Sequence, residues 1–306
     1  MSGRVRVGVV GTGALGQHHV RILSGLPEAD LVGIYDLLPE RAAEVAERYG
    51  CPAAASGSEL LEAADAVVVA VPTADHAKVG CRALERGLHV LVEKPMAASL
   101  AEADELLAAA GDRVLAVGHV EYFNPAVQSL LGLKLAPGFA EIHRLGVFSP
   151  RSLDIDVVLD LMIHDLQILE ALDRSPIEQI DAVGVKVLSD KIDIANVRLR
   201  FASGLVANLT ASRVSAEKVR KLRLFAPPGY YSVDYQSQEV SGFRLELAGG
   251  PRALIEQDLS PDREEPLKKE LEAFVAACAG RPADLVDGRR ARSALATAHR
   301  VLEQIQ

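Results

Sequence analysis

Two short motifs in this 306-residue chain carry residue types whose spacing suits proton and charge handling. The first is Glu93-Lys94-Pro95, directly after the apolar run Leu88–Val92. In an open α/β sheet, ligands sit beyond the carboxyl ends of the strands. A lysine there can hydrogen-bond a reacting oxygen and stabilise negative charge developing on it. The bland alternative is a surface lysine in a βα loop. The second motif is Asp160-Leu-Met-Ile-His164, where i,i+4 spacing on a helix puts both side chains on one face. Asp156, Asp160, His164 and Gln167 form one polar stripe on an otherwise apolar segment, the pattern of a buried helix facing a polar cleft. His164 would accept a proton, because imidazole titrates near working pH. Asp160 would orient it or touch the substrate. A solvent-facing Asp–His pair is the competing reading, kept open by Asp165 and Glu170 off the stripe.

A third motif handles phosphate. Gly11-Thr12-Gly13-Ala14-Leu15-Gly16 follows the first apolar run and opens a helical pattern. Gly11 allows a tight turn, Gly13 lets backbone approach a pyrophosphate, and Gly16 permits close helix–strand packing. The helix N-terminus then offers N–H groups, through Ala14 and Leu15 among others, to the anion. Asp36, twenty residues after Gly16, can accept hydrogen bonds from the adenosine ribose. It would repel the extra phosphate of NADP, so NAD is the expected cofactor. Arg41 leaves some NADP tolerance, and a helix-capping Asp36 is the alternative role. Pro72, Thr73 and His76 follow another apolar run and, with Glu93, are candidate cofactor contacts. A capping Thr73 and a surface His76 are equally open.

These residues need a scaffold. Val5–Val10, Leu31–Tyr35, Ala66–Val71, Leu88–Val92 and Val114–Gly118 are continuous apolar runs, as strands buried on both faces of a parallel sheet require. Helical patterns alternate with them at Leu15–Leu23, Glu40–Tyr49, Ala74–Arg86 and Leu100–Ala110, the last capped by Ser99 with Glu102 three residues on. The order predicts an N-terminal doubly wound Rossmann domain over 1–121. From 122 to 306 the pattern changes to an α+β domain: a strand at Phe139–Phe148, one long helix over Asp156–Leu172, then short strands forming a mostly antiparallel open sheet, and two closing helices.

The net charge of −9 argues against a nucleic-acid partner, which needs a basic face. No apolar run reaches the length of a membrane span, and the N-terminus lacks a signal-peptide pattern. The three cysteines, Cys51, Cys81 and Cys278, match no metal spacing and fit a reducing, cytoplasmic setting. His18, His19, His89, His143 and His299 form no ligand set, and no metal site is expected.

The three motifs in register resemble the glucose–fructose oxidoreductase/inositol dehydrogenase (Gfo/Idh/MocA) family over nearly the whole chain. The resemblance implies Lys94, Asp160 and His164 as the catalytic set. It implies hydride transfer between a sugar-like carbon and a nicotinamide, and a homodimer or homotetramer formed through the C-terminal sheet. Gly118-His-Val-Glu-Tyr-Phe-Asn124-Pro125 and the segment Asp156–Asp165 resemble the branch that contains UDP-N-acetylglucosamine 3-dehydrogenases. That branch implies oxidation of a sugar 3-hydroxyl, with Tyr122 and Asn124 near the substrate. Arg151, Arg213, Lys218 and Arg220 are then candidate donors to the nucleotide diphosphate, chosen by sign and location. Two residues depart from the pattern. Tyr122 stands where the branch usually has arginine, and Gln167 where the family usually has aspartate. The alternatives are a dehydrogenase of a free polyol or inositol, and a catalytically silent NAD-sensing protein.

Overall fold

A computed structural model describes residues 3–148, 155–246 and 253–305. The chain opens with β1 (Val5–Val10), α1 (Gly16–Leu23), β2 (Ala29–Tyr35), α2 (Pro39–Tyr49), α3 (Gly57–Ala63), β3 (Ala66–Val69), α4 (His76–Glu85), β4 (His89–Glu93), α5 (Leu100–Ala110) and β5 (Leu115–Gly118). It continues through α6 (Pro125–Gly132), β6 (Phe139–Leu145) and α7 (Ile163–Leu172). Then come β7 (Ile177–Val185), β8 (Ile194–Phe201), β9 (Val206–Ser212), β10 (Val219–Ala226), β11 (Gly229–Asp234), β12 (Glu239–Glu246) and β13 (Ala253–Asp258). Helices α8 (Pro266–Cys278) and α9 (Gly288–Gln304) follow.

Two compact units result. One comprises residues up to Val120 plus Glu265–Ser293; the other comprises Glu121–Glu264 and the residues from Ala294 on. A single break after 121 is therefore too simple, because α8 belongs with the first unit. The reason is packing: Leu271, Phe274 and Val275 of α8 share one core with Val20 and Leu23 of α1 and Val7 and Val9 of β1.

The first unit is the expected doubly wound fold. Its five strands lie in the order β2-β1-β3-β4-β5, and every adjacent pair is parallel. All four residues of β3 and of β5 are buried, as a sheet covered on both faces demands. Ser99 caps α5 by accepting the Glu102 N–H at 3.2 Å. The α3 helix was not legible as a periodic pattern; it is announced only by Ser56, whose hydroxyl caps it through the Glu59 N–H.

The second unit holds an eight-stranded sheet in the order β13-β12-β11-β10-β6-β9-β8-β7. Only β6 and β9 pair in parallel; the other neighbours are antiparallel. Along β8 burial alternates strictly, so Ala195, Val197, Leu199 and Phe201 face the core while Arg198 and Arg200 face outward. The expected long helix divides. Val158–Met162 winds as a π-helical turn, and a regular α-helix begins only at Ile163. No helix among the described residues is long and apolar enough to cross a membrane.

Candidate active site

The three glycines of the loop do three separate jobs. Gly11 has φ +90°, and a Cβ there would come within 2.5 Å of the Ala70 carbonyl oxygen. A Cβ on Gly16 would come within 1.9 Å of the Gly11 carbonyl oxygen, so that glycine lets helix and turn touch. A Cβ on Gly13 would meet nothing within 4 Å, so this glycine keeps space open in front of the loop. Ala14 and Leu15 are exposed on the same rim, immediately ahead of the N-terminus of α1. An open rim, a close backbone approach and a helix N-terminus are what a dinucleotide pyrophosphate requires.

Asp36 closes the loop from the end of β2. Its Oδ2 accepts the Thr12 N–H at 2.8 Å and the Thr12 hydroxyl at 2.9 Å, and its Oδ1 accepts the Leu38 N–H at 2.9 Å. Burial pushes this carboxyl up. The Leu38 and Thr12 donors and Arg41, 3.6 Å away, outweigh it and hold Asp36 below the usual carboxylate range. Asp36 thus braces the turn into α2 and stands as a charged carboxylate beside the glycine loop.

His76 lies neither on the surface nor free to meet a ligand ring. It is buried, with Nδ1 2.8 Å from the Pro95 carbonyl oxygen and Nε2 2.9 Å from the Val71 carbonyl oxygen. It ties the loop after β3, which holds Pro72 and Thr73, to the Glu93-Lys94-Pro95 segment. Burial pulls its pKa down, so the ring stays neutral and donates to one carbonyl at a time.

Lys94 follows the last residue of β4. Glu93 beneath it is buried, bonds His19 Nε2 at 2.7 Å, and accepts the Lys94 N–H at 3.2 Å. Burial raises the Glu93 carboxyl, but His19 and Lys94 prevail and hold it low. Gly118 of β5 is the register partner of Glu93, and a Cβ on it would come 2.9 Å from Glu93 Oε2. His119 comes next, buried, with its pKa pushed down to about 3 by burial first and then by the charge of Lys94. It is therefore a neutral imidazole beside the lysine. Glu270 of α8 is also buried, and burial together with the Glu93 charge lifts it well above the usual carboxylate range. His19, His119 and Glu270 were missed in the sequence because each is a lone titratable residue; only the fold gathers them around Glu93.

In the second unit, Asp160 sits within the π turn and His164 in the first turn of α7. π turns concentrate at functional positions because they displace side chains from regular helical spacing. The solvent-facing reading of this helix is overturned: His164, Asp165 and Gln167 are all buried. Asp165 is held by Arg144, whose Nε and Nη2 donate to its two oxygens at 2.9 and 2.7 Å. Arg144 Nη1 also donates to Glu121 at 2.7 Å, and Arg220 Nη1 reaches the same Glu121 oxygen at 3.0 Å. The Arg144 guanidinium lies over the Tyr235 ring, 5.0 Å from its centroid.

Other expected substrate contacts have internal duties. Asn124 caps α6 by accepting the Ala126 N–H at 3.1 Å, and its amide donates to the Tyr235 carbonyl at 3.0 Å. Arg213 pairs with Asp193 at 3.0 Å and donates to the carbonyls of Ile155 and Ile192, so it fixes the chain leading into the π turn. Arg220 is committed to Glu121. Tyr122 is buried, edge-on to Phe123 at 5.5 Å. Lys218 remains exposed, and Arg151 lies outside the described residues.

A parallel doubly wound sheet with this glycine loop at the carboxyl end of its first strand defines a Rossmann dinucleotide-binding unit. The profile described as oxidoreductase family, NAD-binding Rossmann fold (GFO_IDH_MocA) matches residues 5–119. The UDP-N-acetylglucosamine 3-dehydrogenase of Acidithiobacillus ferrooxidans is 38% identical over 302 residues, covering 97% of this chain and 96% of that protein. A solved structure of that enzyme from the same organism aligns with a TM-score of 0.92 at 37% identity, covering 99% of this chain and 98% of its own. The inositol 2-dehydrogenase of Rubrobacter xylanophilus is 31% identical over 230 residues, 70% of this chain and 66% of that protein. This chain belongs to the Gfo/Idh/MocA family of NAD-binding oxidoreductases. The expectations of fold class, NAD and oxidoreductase class are borne out.

Proposed function

We propose that this protein oxidises the 3-hydroxyl of UDP-N-acetylglucosamine to a ketone. The observation that carries the reading is the near full-length likeness to an enzyme of that name, at 38% identity. NAD, when bound, supplies the acceptor for the hydride leaving C3. Gly11, Gly13, Ala14, Leu15 and Gly16 receive its pyrophosphate, and Asp36 its adenosine ribose. Pro72, Thr73, the loop stapled by His76, and Glu93 shape the remaining cofactor contacts. Lys94 donates a hydrogen bond to the reacting oxygen. His164 takes the hydroxyl proton, and Asp160 orients His164 or the hydroxyl. Neutral His119 beside Lys94 adds no positive charge of its own.

The test is NADH formation at 340 nm. Turnover with UDP-N-acetylglucosamine that free UDP inhibits is expected. Replacing Lys94 with Met should abolish that turnover while sparing NAD affinity; equal loss of both would make Lys94 structural. One observation favours a second reading: Tyr122 replaces the arginine usual in this branch. Turnover of myo-inositol without turnover of the UDP-sugar would establish the polyol dehydrogenase instead.

The open face of the second unit's sheet supports a homodimer or homotetramer. Phe139, Phe225, Tyr230 and Phe243 form an aromatic ladder across β6, β10, β11 and β12, with centroids 5.5, 5.0 and 6.3 Å apart in succession. Such a row is costly to leave in water. Replacing Phe225 with Glu should convert the assembly to monomer in sedimentation velocity. The free thiols of Cys51, Cys81 and Cys278 suit a reducing cytoplasm.

A further inference from the structure

The first unit carries a second cleft. It lies at the end of the parallel sheet opposite the glycine loop, because its lining residues precede or begin the strands rather than follow them. Arg4 precedes β1, Asp65 precedes β3, Arg86 lies in the turn after α4, His89 begins β4, Arg113 precedes β5, and Cys278 ends α8. The cleft encloses about 470 Å³. Small-molecule sites commonly span roughly 300–1,000 Å³.

The charges around it do not balance. Asp65 is the carboxylate of the lining, and Arg6 already holds it, with Nη2 2.6 Å from Oδ1 and Nε 3.1 Å from Oδ2. Arg4, Arg86 and Arg113 have no carboxylate within ion-pair distance among the described residues. Burial pushes the Cys278 thiol up to about 12, so it adds no negative charge. His89 Nδ1 accepts the Val114 N–H at 2.9 Å, which leaves its Nε2 as the protonated, donating nitrogen of the neutral ring. A chain with net charge −9 thus gathers three arginines without carboxylate partners, and one imidazole donor, around a single concavity. Their mutual repulsion is relieved by a bound anion.

We propose that this cleft binds a small anion bearing at least two phosphoryl groups. The guanidinium fork matches phosphoryl oxygens in bidentate geometry, and three guanidinium charges exceed the roughly −1.5 to −2 charge of one monophosphate at pH 7. The site is separate from the dinucleotide loop, so its occupancy can report the level of a phosphorylated metabolite without competing with NAD. A free diphosphate and a nucleoside diphosphate share the required chemistry.

The test is isothermal titration of inorganic pyrophosphate into protein saturated with NAD, so that the glycine loop is already filled. A parallel titration with UDP, counted only as the binding that the variants below remove because UDP also enters the proposed substrate site, separates a free diphosphate from a nucleotide. Two double variants, Arg86→Glu/Arg113→Glu and Arg86→Gln/Arg113→Gln, change only exposed side chains, and the neutral pair carries the test if charge reversal disturbs folding. Saturable binding is expected, weakened by on the order of tenfold or more in the variants, with NAD affinity unchanged. Absence of saturable binding by wild type at millimolar pyrophosphate overturns the proposal. So does binding that the variants leave intact.

Discussion

Arg144 grips Asp165 with both arms of its guanidinium, and Asp165 is the residue that follows His164. Arg144 is only 2% exposed, on the core-facing side of β6 together with Ala140 and Ile142. Burial opposes its charge, but Asp165 and Glu121 overcome that and keep it protonated far above the usual range. A buried fork of this kind fixes the rotation of α7 about its axis, and hence the direction of the neighbouring imidazole.

Arg144→Met leaves buried Asp165 without its cation and Glu121 with Arg220 alone, and should cost about 3–5 kcal/mol in urea unfolding. Arg144→Lys keeps the charge and loses the fork. It should lower kcat by on the order of tenfold with little change in NAD affinity, because the glycine loop belongs to the other unit. An Arg144→Lys enzyme with wild-type kcat would show that Asp165 does not position His164.

The glycine loop separates folding from binding. Gly11→Ala places a side chain at φ +90° against the Ala70 carbonyl, and Gly16→Ala drives one into the Gly11 carbonyl. Both should lower the thermal midpoint. Gly13→Ala meets only open space. It should fold like wild type and lose NAD affinity, since the methyl group occupies the approach to the pyrophosphate. Scanning calorimetry and NADH fluorescence titration distinguish the three; a Gly13→Ala protein with unaltered NAD affinity would sink the assignment of the loop.

The architecture of the first unit was legible because its strands are continuous apolar runs and its helices, α3 excepted, follow a periodic pattern between them. The motif residues were legible for the same reason, since each belongs to a short local pattern. The charge cluster was not. Arg144 follows Ala140 and Ile142 at a spacing of two, so the alternation on β6 already places an arginine on the core face. Its partners Glu121, Asp165 and Arg220 come from distant segments, and no local pattern joins them. Asn124, singled out by the branch resemblance, and Arg213, chosen by sign and position, show the converse: the fold engages them as a helix cap and a chain clamp, duties that no local pattern announced.

His119 gives a pH signature. Its folded pKa, about 3, lies below the ordinary imidazole value of 6.5. Between these values the unfolded chain binds the proton and the folded chain does not. The contribution to stability is thus complete above the unfolded pKa and declines as pH falls toward the folded one. Its slope approaches about 1.4 kcal/mol per pH unit inside that window. Replacing His119 with Gln should flatten the acid limb of stability against pH by up to that amount, measured by urea unfolding between pH 4 and pH 7. Parallel limbs for the two proteins would mean that His119 is protonated in the fold.

Asp36 makes the last prediction, because one carboxylate braces the loop and, in the proposed function, sets cofactor choice. Its oxygens accept from Thr12 and Leu38, and Arg41 stands 3.6 Å from Oδ2. Asp36→Ala removes the acceptor for the ribose, frees the Thr12 N–H from its tether and releases Arg41. NAD affinity should fall by on the order of tenfold. NADP should lose less or gain, since the repelling charge is gone and a guanidinium is available for the extra phosphate. The double variant Asp36→Ala/Arg41→Ala should lose the NADP gain and keep the NAD loss. Paired titrations with NADH and NADPH decide the matter. If Asp36→Ala weakens both cofactors equally, the carboxylate only braces the turn, and discrimination between the two lies elsewhere in the loop.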